Sequence, residues 1–238
     1  MFLCNVGTYT TEEHAALRID RVSKLPADTD QKYYVGMKDA FAGHLKHERS
    51  EQSILYRNLG GMKFKDVSEE TGLIDLSWSG EASPIDANGD GWLDLYVLSM
   101  QGHDEYYQND EGRGFLKKSR DVFPRTAWGA MGIKVFDFNN DGRFDIFVTD
   151  MHSDMSEDVG FERERLKARM QWPESFVQSG NQSIYGNAFF RQTEDGQFEE
   201  VSDEVGAENY WPWGLTVADI NADGFQDAFL TSSMCFPY

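Results

Sequence analysis

The sequence predicts an all-β fold built from repeated four-stranded antiparallel units, and three observations predict it. A nine-residue pattern, D-x-N-x-D-G-x-x-D, occurs at residues 86–94, 137–145 and 219–227. Each copy is followed by a short β-prone run, at 95–98 (Leu-Tyr-Val-Leu), 146–149 (Ile-Phe-Val-Thr) and 228–231 (Ala-Phe-Leu-Thr). Such runs, bounded by turn formers, read as strands. The flanking apolar positions also repeat in step: Asp86 to Asp137, Leu55 to Tyr106 and Phe64 to Phe115 are each separated by 51 residues. A period of that length holds about four short strands, the content of one propeller blade.

Taken in order, Met1, Phe2 and Leu3 align with the strand that follows a pattern copy, although no copy precedes them. Residues 8–52 are expected to be an insertion carrying helices, since Thr10-Thr11-Glu12-Glu13 offers a capping box and Pro26 a stop. Residues 54–58 and then 64–68 make up a second element that recurs at 188–192 and 198–202, with a weaker copy at 106–109 and Phe115. The step from Asp137 to Asp219 is 82 residues, and the excess of 31 falls in 152–186. Within that insertion, residues 161–172 are rich in Glu, Arg, Leu, Lys and Ala and end at Pro173, which predicts a surface helix. The expectation is a β-propeller fragment with helical insertions. Two complete blades fall at about 78–120 and 128–202 and partial blades at 1–68 and 211–238. Propellers use about four to eight blades, so the remainder is expected from a longer parent chain.

The repeated pattern suits a calcium site. Calcium takes 6–8 hard oxygen ligands in flexible geometry, and D-x-N-x-D presents oxygens at alternate positions. In the first loop Asp86, Asn88 and Asp90 are the expected side-chain ligands, Trp92 gives its carbonyl and Asp94 a carboxylate. Asp137, Asn139, Asp141, Arg143 (by its carbonyl) and Asp145 take these roles in the second loop. Asp219, Asn221, Asp223, Phe225 (by its carbonyl) and Asp227 take them in the third, so about three Ca²⁺ ions are expected. An EF-hand would need Glu at the twelfth position, where the chain has Val97, Val148 and Leu230. Asx-rich turns form without metal too, but three identically spaced clusters of mutually repelling carboxylates favour a cation. Mg²⁺ fits less well, because it demands tighter octahedral geometry.

Forty-one acidic against 22 basic residues give a formal charge of −19, which argues against nucleic acid and anionic lipid as partners. No apolar run is long enough for membrane insertion. Cys4 and Cys235 stand near opposite ends, and their disulfide state is left open. His44 and His47 have helical spacing but no further zinc ligand beside them. His14, His103 and His152 are isolated in sequence, and only His152 lies near a strand that follows a loop. Trp78, Trp128, Trp211 and Trp213 precede the loops, where packing between blades is favoured over a sugar-stacking platform. The basic tract 163–169 is interleaved with Glu164 and reads as a solvated helix face.

The loops with their following strands, and Leu55-Tyr56-Arg57-Asn58, resemble the FG-GAP/VCBS repeats of integrin-α-like propellers. Residues 130–137 and Trp211-Pro212-Trp213-Gly214 are similar to bacterial proteins of the cartilage acidic protein-like group. That resemblance implies an exported propeller that acts in adhesion or ligand recognition, with calcium rigidifying its hairpins. The expected function is therefore a non-catalytic, calcium-binding scaffold, extracellular or periplasmic, for a protein or glycan ligand. The alternatives are a propeller enzyme acting on polysaccharide and a lectin-like carbohydrate binder.

Overall fold

The computed structural model describes residues 1–4, 52–100, 102–151, 183–184, 186–207 and 212–232. The helices expected within 8–52 and 152–186 lie outside the described residues, as do His14, His44, His47, His152, Trp211 and Cys235. The described strands are β1 (Phe2–Leu3), β2 (Ile54–Gly60), β3 (Lys63–Asp66), β4 (Ser79–Ile85), β5 (Asp94–Ser99), β6 (Glu105–Asn109), β7 (Phe115–Lys117) and β8 (Thr126–Ala127). They continue with β9 (Ala130–Phe136), β10 (Asp145–Asp150), β11 (Ser183–Ile184), β12 (Ala188–Gln192), β13 (Phe198–Glu200), β14 (Pro212–Ala218) and β15 (Asp227–Ser232). Three one-turn helices interrupt them: α1 (Ser68–Thr71), α2 (Ser119–Val122) and α3 (Ser202–Val205).

The fold is mostly β. Sheet 1 has the order β1-β2-β3, sheet 2 β4-β5-β6-β7 and sheet 3 β9-β10-β12-β13, while β14 and β15 form a hairpin. Pairing within each is antiparallel. Short β8 and β11 pair in parallel. Sheets 2 and 3 are the four-stranded antiparallel units that the repeat predicts.

Both faces of sheets 2 and 3 are covered, which explains why their second strands are continuous apolar runs rather than alternating ones. Along β5, Tyr96 and Leu98 join a core with Ile133, Ile146, Val148 and Phe190 of sheet 3. The intervening Val97 turns the other way, into a cluster with Leu73, Tyr107, Phe2 and Leu55. Sheet 3 repeats the arrangement, with Phe147 packed beside Phe136, Phe189 and Leu215 against the β14–β15 hairpin. The period of two in strand geometry thus sends successive side chains to different neighbours. Strand β9 packs against both β4 and β14, and the Ile133 N–H donates to Glu81 Oε2 across that seam at 3.2 Å.

Polar hooks tie each unit to the connection that follows it. Ser53 Oγ donates to buried Asp75 (2.7 Å), and the Asp104 N–H donates to Thr126 Oγ1 (3.0 Å), 51 residues further on in both partners. Asp104 also accepts the Ser99 N–H (2.8 Å), as the Asn187 side chain accepts the Asp150 N–H (3.0 Å). Burying these groups is tolerable because each is satisfied.

Residues 67–68 and 201–202 leave the strand path expected for them. Asp66 Oδ1 accepts both the N–H (3.0 Å) and the hydroxyl (2.7 Å) of Ser68. The Glu200 carboxylate likewise accepts the Ser202 N–H at 2.9 Å. These side-chain bonds compete with the ladder and start the one-turn helices. Helix α1 meets the β6–β7 turn so closely that a Cβ on Gly114 would lie 2.6 Å from the Thr71 carbonyl oxygen. Gly114→Ala is expected to cost about 1–3 kcal/mol, read as a lower urea midpoint. An unchanged midpoint would show that the two segments separate freely.

Candidate metal centre

Each nine-residue pattern closes the hairpin between the first and second strands of its unit. The registers are equivalent: Ile85 pairs Asp94, Phe136 pairs Asp145 and Ala218 pairs Asp227. The ninth residue of the pattern is therefore the first residue of β5, β10 or β15, and the preceding eight make the loop.

Within the loops the hydrogen bonds repeat copy by copy. Asp86 accepts the N–H groups of Asp90 (3.1 Å) and Gly91 (2.9 Å). Asp137 does the same with Asp141 (3.0 Å) and Gly142 (2.8 Å), and Asp219 with Asp223 (3.1 Å) and Gly224 (2.9 Å). The third-position amides of Asn88, Asn139 and Asn221 donate to the fifth-position carboxylates at 2.8, 2.8 and 3.0 Å. Those carboxylates, Asp90, Asp141 and Asp223, accept the N–H of Trp92, Arg143 and Phe225 at 2.8, 2.9 and 2.9 Å. Such a knot needs a left-handed residue at the sixth position, supplied by Gly91, Gly142 and Gly224 with φ of 85°, 85° and 90°. Positions one, three and five are thus gathered in all three copies.

The ninth position behaves differently. Asp94 and Asp145 are 1% and 0% exposed, and their oxygens are engaged by the fold. Asp94 Oδ1 accepts the Asn109 N–H (2.7 Å), and Oδ2 accepts the Ala87 N–H (3.1 Å) and the Tyr106 hydroxyl (2.5 Å). Asp145 accepts the Gln192 N–H (2.8 Å) and the Phe138 N–H (3.2 Å). Asp227, only half-buried, accepts the Ile220 N–H at 2.9 Å. A carboxylate oxygen has a second lone pair, so these bonds leave acceptor capacity, but in the first two copies the ninth Asp staples the loop to the third strand whatever else it does. Burial pushes the Asp94 carboxyl above the usual range, against its three hydrogen bonds, and the Asp90 charge adds to the rise. Asp145 is raised by burial too, with Asp141 and Asp137 adding.

The seventh position separates the loops. Trp92 and Phe225 are 45% and 52% exposed, and the Trp92 ring covers Gly112, where a Cβ would lie 2.6 Å from it. Arg143 instead turns back onto its own loop, placing Nη2 2.5 Å from Asp141 Oδ2 and donating from Nε to the Gln192 carbonyl at 3.1 Å. Asp141 sits below the usual carboxylate range: burial opposes this, and bonds from the Arg143 and Asn139 amides, with the guanidinium charge, outweigh it. Adjacent units are wired together here, by Asn140 Nδ2 donating to the Gly224 carbonyl (2.9 Å) and Gln192 Nε2 to the Ala87 carbonyl (2.6 Å).

Among the described residues no three His, Cys, Asp or Glu side chains converge as a preformed cage. The loop donors are of another kind, mixing carboxylates with an Asn oxygen and a main-chain carbonyl. These are all hard oxygens, and that set fits Ca²⁺ by its chemistry. The twelfth-position residues Val97 and Val148 are buried inside strands, so an EF-hand arrangement is excluded.

Other sequence candidates fall elsewhere. His103 is not isolated in space, since Nδ1 lies 3.0 Å from Thr126 Oγ1 and Nε2 meets Arg120. Trp78 and Trp128 are half-buried and Trp213 is exposed; the Trp78 and Trp128 carbonyls accept the Met100 and Gly102 N–H groups at 2.9 and 3.0 Å. The Cys4 thiol is pushed up to about 11 by burial, with Asp75 and Glu81 adding, so it is protonated at neutral pH and a poor nucleophile. A cleft of about 290 Å³ beside β15 is lined largely by Phe136, Phe138, Phe147, Phe189 and Leu230, with no titratable side chain among the described residues that line it. The loops remain the feature in which sequence pattern and geometry coincide. The family model of the FG-GAP-like repeat matches residues 86–148 and 171–230, just over half of the chain and inclusive of all three loops. No curated protein matches the chain.

Proposed function

The chain belongs to the FG-GAP-like repeat family, and we propose that it is part of a calcium-stabilised β-propeller that serves as a recognition scaffold. On this reading the units are blades, stacked in chain order by the two-sided cores of sheets 2 and 3. Calcium sits at the loop ends of the β4–β5, β9–β10 and β14–β15 hairpins. Asp86, Asn88 and Asp90, with the Trp92 carbonyl and Asp94, hold it in the first loop. Asp137, Asn139, Asp141, the Arg143 carbonyl and Asp145 hold it in the second, and Asp219, Asn221, Asp223, the Phe225 carbonyl and Asp227 in the third. A bound cation offsets repulsion among the clustered carboxylates and so stiffens each hairpin. Its role is structural, and the function is binding of a protein or glycan ligand, as in adhesion, rather than turnover.

The observation that carries this reading is the equivalence of the three loops, in spacing, in strand register and in internal hydrogen bonding. Sites with few ligand charges fill where calcium is abundant, which favours a location outside the cell or in the periplasm. Thermal unfolding with excess EDTA, and then with Ca²⁺ or Mg²⁺, tests the proposal, together with metal counting on the purified chain. Saturating Ca²⁺ is expected to raise Tm by about 10 °C or more, each site adding about 2.7 kcal/mol at a hundredfold excess over Kd, with Mg²⁺ much less effective. Absence of both bound Ca²⁺ and a Tm shift would overturn it.

A further inference from the structure

The second loop differs from its two neighbours in one respect that bears on the cation. Arg143 is the single basic residue in the three patterns, occupying the position held by Trp92 and Phe225. Its guanidinium is directed inward, onto Asp141 Oδ2 at 2.5 Å, and is held there by the bond from Nε to the Gln192 carbonyl at 3.1 Å. The pair is partly exposed, with side-chain exposures of 33% for Arg143 and 22% for Asp141. Asp141 Oδ2 therefore receives two donors, the guanidinium and the Asn139 amide. Its counterparts Asp90 and Asp223 receive the Asn amide there without a guanidinium.

Resting on the calcium reading above, we infer that Arg143 is an affinity-setting residue that makes the second loop the weakest of the three calcium sites. A divalent ion entering this loop must compete with the guanidinium for Asp141 and is repelled by a fixed positive charge. Together these lower affinity about tenfold, the scale of one screened unit charge plus a competing partly exposed ion pair. By the same token the second loop keeps its shape without metal, because Arg143 already offsets one of its carboxylates. The first and third loops fill first, and the second fills only as calcium rises further.

The test is a calcium titration of the whole chain by calorimetry, with bound metal counted at each plateau. Wild type is expected to take up two ions at one affinity and a third about tenfold more weakly. Asp137→Ala should abolish the weak step alone. Arg143→Gln should draw the third step up toward the other two. The reciprocal change, Phe225→Arg at an exposed position of the third loop, should weaken one tight step. Three equivalent steps in wild type, or loss of a tight step in Asp137→Ala, would overturn the role of Arg143 and leave the calcium reading intact. Absence of any calcium uptake overturns that reading and this inference with it.

Discussion

Asp94→Ala is expected to destabilise the protein by about 3–5 kcal/mol in the absence of any metal. The reasoning is a count of orphaned donors. Asp94 receives the Asn109 N–H, the Ala87 N–H and the Tyr106 hydroxyl, and it is 1% exposed, so water does not replace it. Leaving a buried donor unsatisfied costs about 1–3 kcal/mol, and bonds to a charged group sit at the upper end. Three donors with partial relaxation give the stated range. Asp90→Ala in the same loop should cost less than about 1 kcal/mol in EDTA, since Asp90 is exposed and its partners can turn to water. The contrast separates two roles that one repeated pattern merges. In EDTA only the ninth-position variant should unfold early, whereas in saturating Ca²⁺ both variants should lose stability. If Asp94→Ala proves harmless in EDTA and harmful only with Ca²⁺, the carboxylate is a ligand first and the hydrogen-bonded staple is secondary.

Those two roles could not be distinguished in the sequence, because both call for an acid at the same place. What the sequence does carry is the repeat. The pattern copies, the apolar runs after them and the 51-residue step locate the hairpins and the two four-stranded sheets without any structural knowledge. The four consecutive apolar residues at 95–98 form a strand covered on both sides, with Tyr96 and Val97 in opposed clusters. The one-turn helices were legible in part. Ser68 and Ser202 are each followed by two acids, one further residue and then a Gly, Gly72 or Gly206, in left-handed conformation, which is a start and stop signal in miniature. The polar hooks were not legible at all. Their repeat positions are filled by Ser53, Asp104 and Asn187, which meet a carboxylate, a hydroxyl and a main-chain N–H in turn, so no one residue type marks them. Arg143 was readable as a carbonyl donor, but the inward turn of its guanidinium depends on the Gln192 carbonyl, 49 residues away.

Phe123→Ala is expected to cost about 4 kcal/mol and, more tellingly, to change how the protein unfolds. Two of the three short helices end in a left-handed Gly, but α2 ends in Phe123 with φ of −122°, followed by Pro124. An extended residue at that point turns its ring into the core between sheets 2 and 3 instead of reversing the chain. There Phe123 is 1% exposed and meets Tyr96 (5.0 Å) and Tyr106 (5.5 Å) of sheet 2, and Phe190 (5.2 Å) and Phe198 (4.8 Å) of sheet 3. Three of these contacts are edge-on, the arrangement favoured by ring quadrupoles. Burial and cavity terms for Phe→Ala come to about 3–5 kcal/mol. Because the ring belongs to neither sheet and touches both, its removal weakens the coupling between units more than the units themselves. In repeat architectures that coupling is what makes neighbours unfold together. Urea denaturation of the variant, followed by tryptophan fluorescence and far-ultraviolet circular dichroism, should give non-coincident transitions where wild type gives coincident ones. Phe123→Leu, which keeps apolar volume but loses the ring edges, should retain most of the stability and a single transition. A single transition in Phe123→Ala, shifted by less than 1 kcal/mol, would mean that the strand-to-strand seam of β4 and β9 couples the sheets and that the ring only fills space.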